Sequence, residues 1–367
     1  MDGHPAPRLT GRVGANLAAI EVLTTLRREG REASPAEREV LAGWRSWGAV
    51  PQIFDEDSPR ATRLRELLTE REWLAARRTT INAHYTDPAL AAAIWEVVAG
   101  LGFTGGRVLE PGCGSGVFLA AAPAGVAMSG VELDPVSAGI AQALYPDAEI
   151  RAESFADSPY PDASFDLVIG NVPFAKIALH DPTHNPGRQS MHNHFILKSL
   201  ALTRPGGLVA VLTSRYTLDA ESAAARAAMH ARADLLAAVR LPSGAHHAYA
   251  GTEAVTDLVV FRVRRSDEPP GPAGWLRTVR DPGLGVPVNT YWAEHPDAVL
   301  GRMRVAAHAL NGRAGVIVDP DPTAVRSLAE RLTGTALTLA GPAAPPGVPS
   351  AADRADAQDT PPVVAAA

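Results

Sequence analysis

The segment Glu110-Pro-Gly-Cys-Gly-Ser-Gly116 decides the fold of this 367-residue chain. It follows the short predicted strand Arg107–Leu109, and a helical pattern begins after it at Val117. Glycine adopts positive φ readily and leaves room for a ligand to approach the main chain. The segment therefore predicts a strand, a tight ligand-binding turn and a helix, in that order.

Apolar runs alternate with helical patterns from Asp87 to Phe261. The other runs that predict strands are Met128–Leu133, Ala148–Arg151, Leu167–Gly170, Leu208–Thr213, Leu235–Arg240 and Leu258–Val263. Such alternation is typical of an α/β fold with a mainly parallel sheet and helices on both faces. Ligands in such sheets bind at the carboxyl ends of the strands, where the strand order reverses.

The pattern divides the chain into four regions. They are an N-terminal helical region (1–80), a central α/β domain (81–265), a C-terminal accessory region (266–340) and a disordered tail rich in alanine and proline (341–367). In the first region, Ser34-Pro-Ala-Glu37 predicts a helix start, and Arg60–Arg78 predicts one amphipathic helix. In the accessory region, Pro322–Leu332 predicts a helix and Val316–Val318 a strand.

Composition limits the class of protein. The net charge is −6 and the pI is near 6.0, which argues against a chain coated in positive charge but permits a local basic groove. The single cysteine, Cys113, excludes a disulfide framework and a cysteine-rich zinc site. Because no signal-peptide pattern and no apolar run of about 18 residues is present, we expect a soluble, cytoplasmic protein without membrane or metal partners.

A second motif, Asn171-Val-Pro-Phe174, ends the predicted strand at Gly170. The Asn171 side-chain oxygen and the Val172 carbonyl could accept hydrogen bonds from both N–H groups of a planar amine, which would make its nitrogen more nucleophilic. Pro173 has no N–H and fixes the direction of that carbonyl. Phe174 could stack on the base. The motif predicts a site for methylating an amino nitrogen.

Further residues predict a nucleoside-containing cofactor beside the glycine turn. Glu132 ends the second strand, where an acid can accept hydrogen bonds from both ribose hydroxyls. Phe155, after the third strand, could stack on an adenine, and Asp134 is expected to cap the next helix. No Gly-Lys-Ser/Thr follows the turn, so it is not a nucleoside triphosphate loop, although a nicotinamide or flavin site would use similar glycines.

Two features lie outside these motifs, a histidine-rich loop and a pair of tryptophans. His180, His184, His192 and His194 surround a polar loop and fit no standard zinc spacing. Either this loop covers the substrate, with histidines and Arg188 touching phosphate, or it is simply solvated. Trp44 and Trp47 are expected to pack the helical region onto the next domain.

The two motifs together resemble those of the N6-adenine-specific DNA methyltransferases, over roughly Asn82 to Val263. On this resemblance, the loop that contains Tyr85 and Thr86 folds over the methionine portion of S-adenosylmethionine. Glu110, Gly112, Gly114 and Gly116 form the cofactor turn, Glu132 binds ribose, and Asn171–Phe174 matches the catalytic Asn-Pro-Pro-Tyr/Phe. The resemblance implies a Rossmann-like S-adenosylmethionine-dependent methyltransferase fold and transfer to adenine N6 by base flipping and in-line displacement.

The chain is similar in particular to a subgroup found in mobile elements and phage-defence loci, often beside or fused to a helicase. The shared runs are Leu212–Arg215, Gly251–Glu253 and Asn289–Pro296. This similarity extends over about residues 15–330. It implies double-stranded DNA as substrate, a helicase or specificity protein as partner, and a role in restriction-modification or phage defence.

Departures from the family pattern leave alternatives open. Val172 stands where the family usually has proline, and Ser154 precedes Phe155 where many members have an acid. No separate target-recognition domain of the usual size is evident. The alternatives are a methyltransferase acting on RNA or on a protein glutamine amide, and a non-catalytic DNA-recognition subunit of a helicase. Cytosine C5 chemistry is disfavoured because Cys113 lies inside the cofactor turn.

Overall fold

The computed structural model describes residues 9–48, 51–54, 59–79, 86–245, 255–310 and 313–341. The chain begins with a layer of four helices, α1 (Leu9–Glu29), α2 (Pro35–Ala42), α3 (Pro59–Leu67) and α4 (Glu70–Thr79). Helix α2 starts as its sequence predicts, because Ser34 and Glu37 form a reciprocal capping box. Within the described residues, no helix combines the length and apolarity needed to span a bilayer.

The prediction of one helix over Arg60–Arg78 is wrong, since α3 and α4 are separate. The Thr69 hydroxyl accepts a hydrogen bond from the Glu72 N–H at 3.3 Å, and the Glu72 carboxylate accepts one from the Thr69 N–H at 2.9 Å. This second capping box starts a new helix after Leu68. The sequence contains the signature of this box, Thr-x-x-Glu, but the continuous charge pattern around it favours a single helix.

A seven-stranded sheet forms the centre of the molecule and confirms the predicted α/β class. Its strands are β1 (Arg107–Pro111), β2 (Ala127–Glu132), β3 (Glu149–Ala152), β4 (Phe165–Asn171), β5 (Thr203–Ser214), β6 (Ala233–Arg240) and β7 (Thr256–Val263). The spatial order is β3-β2-β1-β4-β5-β7-β6. The pairs from β3 through β5 are parallel, whereas β7 runs antiparallel to β5 and β6.

Helices cover both faces of this sheet, as predicted. They are α5 (Pro88–Gly100), α6 (Val117–Ala120), α7 (Pro135–Leu144), α8 (Met191–Leu202), α9 (Tyr216–Asp219), α10 (Ala224–His230), α11 (Thr290–Glu294) and α12 (Leu328–Ala340). Alternate strand residues enter two separate cores: Val108 and Leu167 pack with α5 and α12, whereas Leu109 and Val168 pack with α8. This alternation follows from the period of two along a strand.

The predicted helix over Pro322–Leu332 begins later, at Leu328, and continues to Ala340. Ser327 and Glu330 form the capping box that sets this start. Leu332 and Ala336 are fully buried in the core beneath α5. Residues 266–340 also contribute short strand pairs, β8 (Thr278–Arg280) with β9 (Pro287–Asn289) and β10 (Gly301–Leu310) with β11 (Arg313–Pro320).

The N-terminal layer packs on α7, as the tryptophan pair predicts. Trp44 and Trp47 are buried, with ring centroids 4.7 Å apart, in one apolar cluster with Val136 and Ile140 of α7. The Trp47 indole N–H also donates to the Asp134 carboxylate at 2.8 Å. The layer is therefore tied to the residue that begins α7.

A buried ion network joins the sheet to the accessory region. Arg240 on β6 donates to both oxygens of Asp257 on β7 at 2.8 Å and reaches Asp219 at 2.9 Å. Its guanidinium lies 4.3 Å from the ring centroid of Trp292 in α11. Burial alone would lower the pKa of Arg240, but the carboxylates of Asp257 and Asp219 hold it above its usual value.

Removing the central cation of this network should strongly destabilise the fold. We expect Arg240→Ala to lower the free energy of unfolding by about 3–5 kcal/mol, because two buried carboxylates lose their partner. Arg304→Ala removes an exposed ion pair with Asp319 and should leave the free energy of unfolding nearly unchanged. Urea denaturation of both variants measures the difference, and equal stabilities would contradict the assigned role of Arg240.

Candidate active site

A cavity of about 420 Å³ lies at the carboxyl ends of β1, β2 and β4. Parallel pairing of β1 with both β2 and β4 brings the ends of these three strands together. The strand order reverses at β1 and β4, which is where open α/β sheets bind ligands. Both sequence motifs contribute to its wall, the first with Glu110 and residues 112–115 and the second with residues 171–173.

The glycine turn presents its main chain to the cavity. Gly112 and Gly114 have φ of 73° and 54°, in the left-handed region that favours glycine. A Cβ on Gly114 would meet nothing within 4 Å, and one on Gly112 would lie 3.5 Å from Pro173 Cδ. Gly116 is outside the set of lining residues, and its Cβ would lie 2.6 Å from the Tyr145 ring. The requirement for glycine at position 116 is therefore explained by packing against Tyr145 rather than by contact with a ligand.

Glu132 holds the turn in place and faces the cavity. Its two carboxylate oxygens accept hydrogen bonds from the Gly114 N–H at 2.9 Å and the Asp134 N–H at 2.7 Å. Burial raises the pKa of Glu132 to about 7, against the lowering effect of these main-chain donors. A carboxylate retains lone pairs for further donors after two hydrogen bonds. Glu132 can thus accept hydroxyl donors from a ligand.

Glu110 offers a second buried carboxyl group. It is 3% exposed, and its Oε2 is buried without a hydrogen-bond partner although it lines the cavity. Burial raises the pKa of Glu110 well above its usual range, while the N–H groups of Phe118 and Leu119 act in the opposite direction. An unpartnered buried oxygen at a cavity wall indicates a missing ligand donor.

The Asn171 amide is oriented by Thr86. Its Nδ2 donates to the Thr86 hydroxyl at 3.1 Å, whereas its Oδ1 is buried without a partner. Both residues line the cavity. Because one amide N–H already binds Thr86 and Oδ1 has no partner, Oδ1 is the acceptor that is available to a ligand. The resemblance implies that Thr86 contacts cofactor, and the structure adds this contact with Asn171.

The remaining residues of the catalytic motif have different surroundings. Val172 is fully buried and its N–H donates to the Leu212 carbonyl at 3.0 Å, which continues the pairing of β4 with β5. Pro173 lines the cavity. Phe174 is partly buried against the apolar core and is outside the set of lining residues. Tyr85 lies outside the described residues.

Phe155 lies in the cavity wall, as predicted for a residue that stacks on adenine. It is buried, with its ring centroid 4.8 Å from that of Phe195 on α8. Ser154, which stands where the family pattern often has an acid, also lines the cavity, as does Glu153 one residue earlier. The end of β3 therefore faces the same space as the glycine turn.

The N-terminal layer supplies a wall that the sequence interpretation missed. Ser46, Trp47 and Arg78 all line the cavity. Asp134, predicted as a cap, does accept the Ser137 N–H at 3.0 Å and also binds Trp47. The sequence predicts only a packing role for the tryptophans, because no local motif links residue 47 to residue 134. That link depends on how the helical layer docks.

Asp181 binds the histidine loop to the protein interior. For His184 and His194, the interpretation as part of a substrate lid and the interpretation as part of a solvated loop are therefore both wrong. Asp181 Oδ2 lies 3.2 Å from His184 Nδ1, 3.0 Å from His194 Nε2 and 3.6 Å from Lys198 Nζ. Burial opposes ionisation, but the His184 N–H and His194 lower the pKa of Asp181 to about 2. The network fixes the loop onto α8.

The single thiol is not positioned for nucleophilic chemistry. Cys113 is buried, and burial raises its pKa well above the usual value. Its Sγ would lie 2.8 Å from a Cβ on Gly130, so it packs tightly against β2. Across the described residues, no three His, Cys, Asp or Glu side chains are grouped so that they could hold a metal ion.

A family model described as a methyltransferase domain matches residues 109–183, which include the glycine turn, Glu132 and the Asn171 motif. These residues therefore form a methyltransferase domain, and the cofactor that this domain implies is S-adenosylmethionine. The cavity fits this cofactor, because the exposed main chain of Gly114, the unpartnered oxygen of Glu110 and the carboxylate of Glu132 offer the acceptors and the space that a charged nucleoside needs.

The chain is 29% identical over 270 residues to the defense against restriction protein B of Escherichia phage P1. The match covers 71% of this chain but spans only 10% of that relative. Two solved structures are similar: a modification subunit of a putative type I restriction enzyme from Vibrio vulnificus (19% identity, TM-score 0.42, 56% of this chain and 49% of that one) and a type I restriction-modification methyltransferase subunit from Streptococcus thermophilus (15%, 0.43, 77% and 84%).

Cofactor affinity should depend on the charge of Glu132. The family resemblance assigns the ribose hydroxyls to Glu132, and these would donate to its ionised form. With a pKa of about 7 for Glu132, binding should then release a proton and weaken as pH falls. Between about pH 8 and pH 6, we expect calorimetry to show about tenfold weaker binding of S-adenosylhomocysteine.

Two variants of Glu132 separate its titration from that of S-adenosylhomocysteine and measure the strength of its contact. Glu132→Gln cannot ionise and should show a smaller dependence on pH than the wild type. Glu132→Ala should weaken binding near pH 8 by about 1.5–3 kcal/mol, the scale of a hydrogen bond to a charged group. Identical pH profiles for the wild type and Glu132→Gln would place the ribose contact elsewhere.

Proposed function

We propose that this protein transfers a methyl group from S-adenosylmethionine to the exocyclic N6 amine of adenine in DNA. The observation that carries the proposal is the Asn171 amide, whose nitrogen is held by Thr86 and whose buried oxygen has no partner. That oxygen lies at the wall of the cofactor cavity and can accept a hydrogen bond from an N–H donor. An amine with two N–H groups meets this requirement.

The acceptors explain how a weak nucleophile becomes reactive. The lone pair of the adenine amine is delocalised into the ring. Hydrogen bonds from its two N–H groups to Asn171 Oδ1 and the Val172 carbonyl favour a more tetrahedral nitrogen, whose lone pair is available for attack. Pro173 fixes the main chain that presents the second acceptor, and Phe174 stacks on the base. The proton released by the amine leaves to solvent after transfer.

The cofactor half of the cavity holds the donor in place. Glu132 accepts the ribose hydroxyls, Glu110 and Thr86 face the methionine portion, and Phe155 stacks on the cofactor adenine. Gly112 and Gly114 let the ligand approach the main chain. When bound, S-adenosylmethionine supplies a methyl group on an already activated sulfonium, so the protein contributes mainly proximity and orientation.

Adenine in a duplex cannot enter this cavity while it is stacked. The target nucleotide must rotate out of the helix, as it does for other enzymes that modify bases. Ile177 lines the cavity and is 55% exposed, so an apolar side chain borders its mouth next to the catalytic motif. The Ile177 side chain can pack against the apolar face of a base that has rotated out of the duplex.

The biological role is proposed from the similarity to the phage P1 protein. The similar phage P1 protein is named for defense against restriction. We infer that this chain acts in the same conflict, as the methyltransferase component of a restriction-modification or phage-defence system. The family resemblance also supports a helicase or specificity protein as its partner.

Asn171→Ala tests the proposal directly. The purified protein is incubated with tritiated S-adenosylmethionine and unmethylated DNA, and the DNA is freed of RNA and protein and digested to nucleosides. We expect labelled N6-methyl-2′-deoxyadenosine from the wild type and none from Asn171→Ala, because the variant lacks the side-chain acceptor. Cofactor affinity, measured by calorimetry, should be nearly the same for both.

Thr86→Val provides a graded control. It removes the hydroxyl that orients the Asn171 amide but keeps the acceptor itself, so turnover should fall less than in Asn171→Ala. Normal turnover by Asn171→Ala would exclude the assigned catalytic role. Label in RNA or in protein glutamine instead of DNA would replace the proposed substrate.

A further inference from the structure

A cation–aromatic cluster lies next to the catalytic motif and has no role in the chemistry above. It consists of Lys176, Tyr216 and Arg215. Lys176 follows the end of β4, and Arg215 and Tyr216 follow the end of β5. Because β4 and β5 are parallel neighbours, with Asn171 paired to Leu212, these residues share the edge of the sheet that carries the cavity.

Tyr216 contacts two cations through its ring. The Arg215 guanidinium lies 4.2 Å from the ring centroid, and Lys176 Nζ lies 5.4 Å from it. Arg215 also donates to the Tyr216 hydroxyl at 3.1 Å and is anchored by Asp219 at 3.2 Å. The ring is therefore fixed by Arg215, which belongs to the buried ion network, and it also contacts the Lys176 amine.

Among the described residues, no carboxylate forms an ion pair with Lys176. The buried network balances Arg215 and Arg240 with Asp219 and Asp257. Lys176 is exposed, and across the part of the chain that the structure describes no carboxylate lies within ion-pair distance of its amine. Its neighbour Ile177 lines the cavity. An unneutralised cation thus stands at the mouth of the site.

Lysine is otherwise almost absent from this chain. The sequence has two lysines, Lys176 and Lys198, and all its other basic side chains except the histidines are arginines. Lys198 is 2% exposed and donates to the carbonyls of Ala156 and Ser158. Lys176 is therefore the exposed lysine of the chain. This difference makes it possible to probe the residue chemically without mutation.

We propose that Lys176 binds a DNA backbone phosphate next to the flipped adenine, with Tyr216 as the positioning residue that aims it. The inference rests on the proposed function, since it takes DNA as the substrate. A phosphate contact fixes the position of the nucleic acid on a protein without reading its sequence. At the cavity mouth, such a contact would hold the strand where the target nucleotide leaves the stack.

The first test measures the salt dependence of DNA binding. Each lysine–phosphate contact contributes about one unit to the slope of log affinity against log salt. Lys176→Gln should reduce this slope by about one. Between about 50 and 200 mM salt, the wild type should then lose roughly three- to fourfold more affinity than the variant. Affinity for S-adenosylhomocysteine should not change.

Arg107→Gln is the matched control. Arg107 is also exposed, and its guanidinium lies 5.2 Å from the ring centroid of Phe165, but it begins β1 at the opposite edge of the sheet. Its removal should leave the salt slope unchanged. Tyr216→Leu should weaken DNA binding in the wild type and have little further effect in the Lys176→Gln background, because a positioning residue acts through the lysine.

The second test uses the unmodified protein. An amine-reactive acetylating reagent should modify Lys176 rapidly and Lys198 slowly, and mass spectrometry separates the two. Unmethylated double-stranded DNA should protect Lys176, whereas S-adenosylhomocysteine alone should not. Slow labelling of Lys198 throughout reports that the protein stays folded.

The outcomes separate this inference from the proposed function. Methyl transfer to DNA with no protection of Lys176 and an unchanged salt slope would overturn the inference alone. Protection of Lys176 without methyl transfer would support the phosphate contact and contradict the proposed reaction. A wild-type protein that binds no DNA would overturn both.

Discussion

Parallel pairing of β1 with β4 is the constraint on which the site depends. It aligns Val108 with Leu167 and Leu109 with Val168, so both strands end at the same edge of the sheet. The glycine turn and the catalytic motif then meet, and a Cβ on Gly112 would lie 3.5 Å from Pro173 Cδ. Segments about 55 residues apart in the sequence thereby form one cavity, which lets a methyl donor and its acceptor share a single space.

Burial gives this shared space its chemical character. Glu110, Glu132 and Asn171 all present oxygen acceptors to the cavity, and little solvent reaches them. Hydrogen bonds in such surroundings are stronger than in water, and unpartnered acceptors are costly. The wall from the N-terminal layer contributes to this exclusion of solvent. A ligand that donates hydrogen bonds therefore stabilises the cavity as well as filling it.

Much of the architecture could be predicted from local patterns. Apolar runs gave the strands of the main sheet, and the Ser34 capping box gave the start of α2. Relationships between distant segments could not be predicted in this way. No local pattern shows that Trp47 lines the cavity and binds Asp134, that Thr86 orients Asn171, or that Asp181 pulls the histidine loop onto α8. Each depends on packing across more than one element.

A bisubstrate ligand would show most directly whether the two motifs act as one site. Such a ligand joins the cofactor's adenosyl group to the N6 nitrogen of a second adenosine, and calorimetry measures its affinity. We expect it to bind more tightly than S-adenosylhomocysteine, because the second half meets the acceptor of Asn171 without a further loss of translational freedom. The gain should disappear in Asn171→Ala. Equal affinities for the two ligands would contradict a shared cavity.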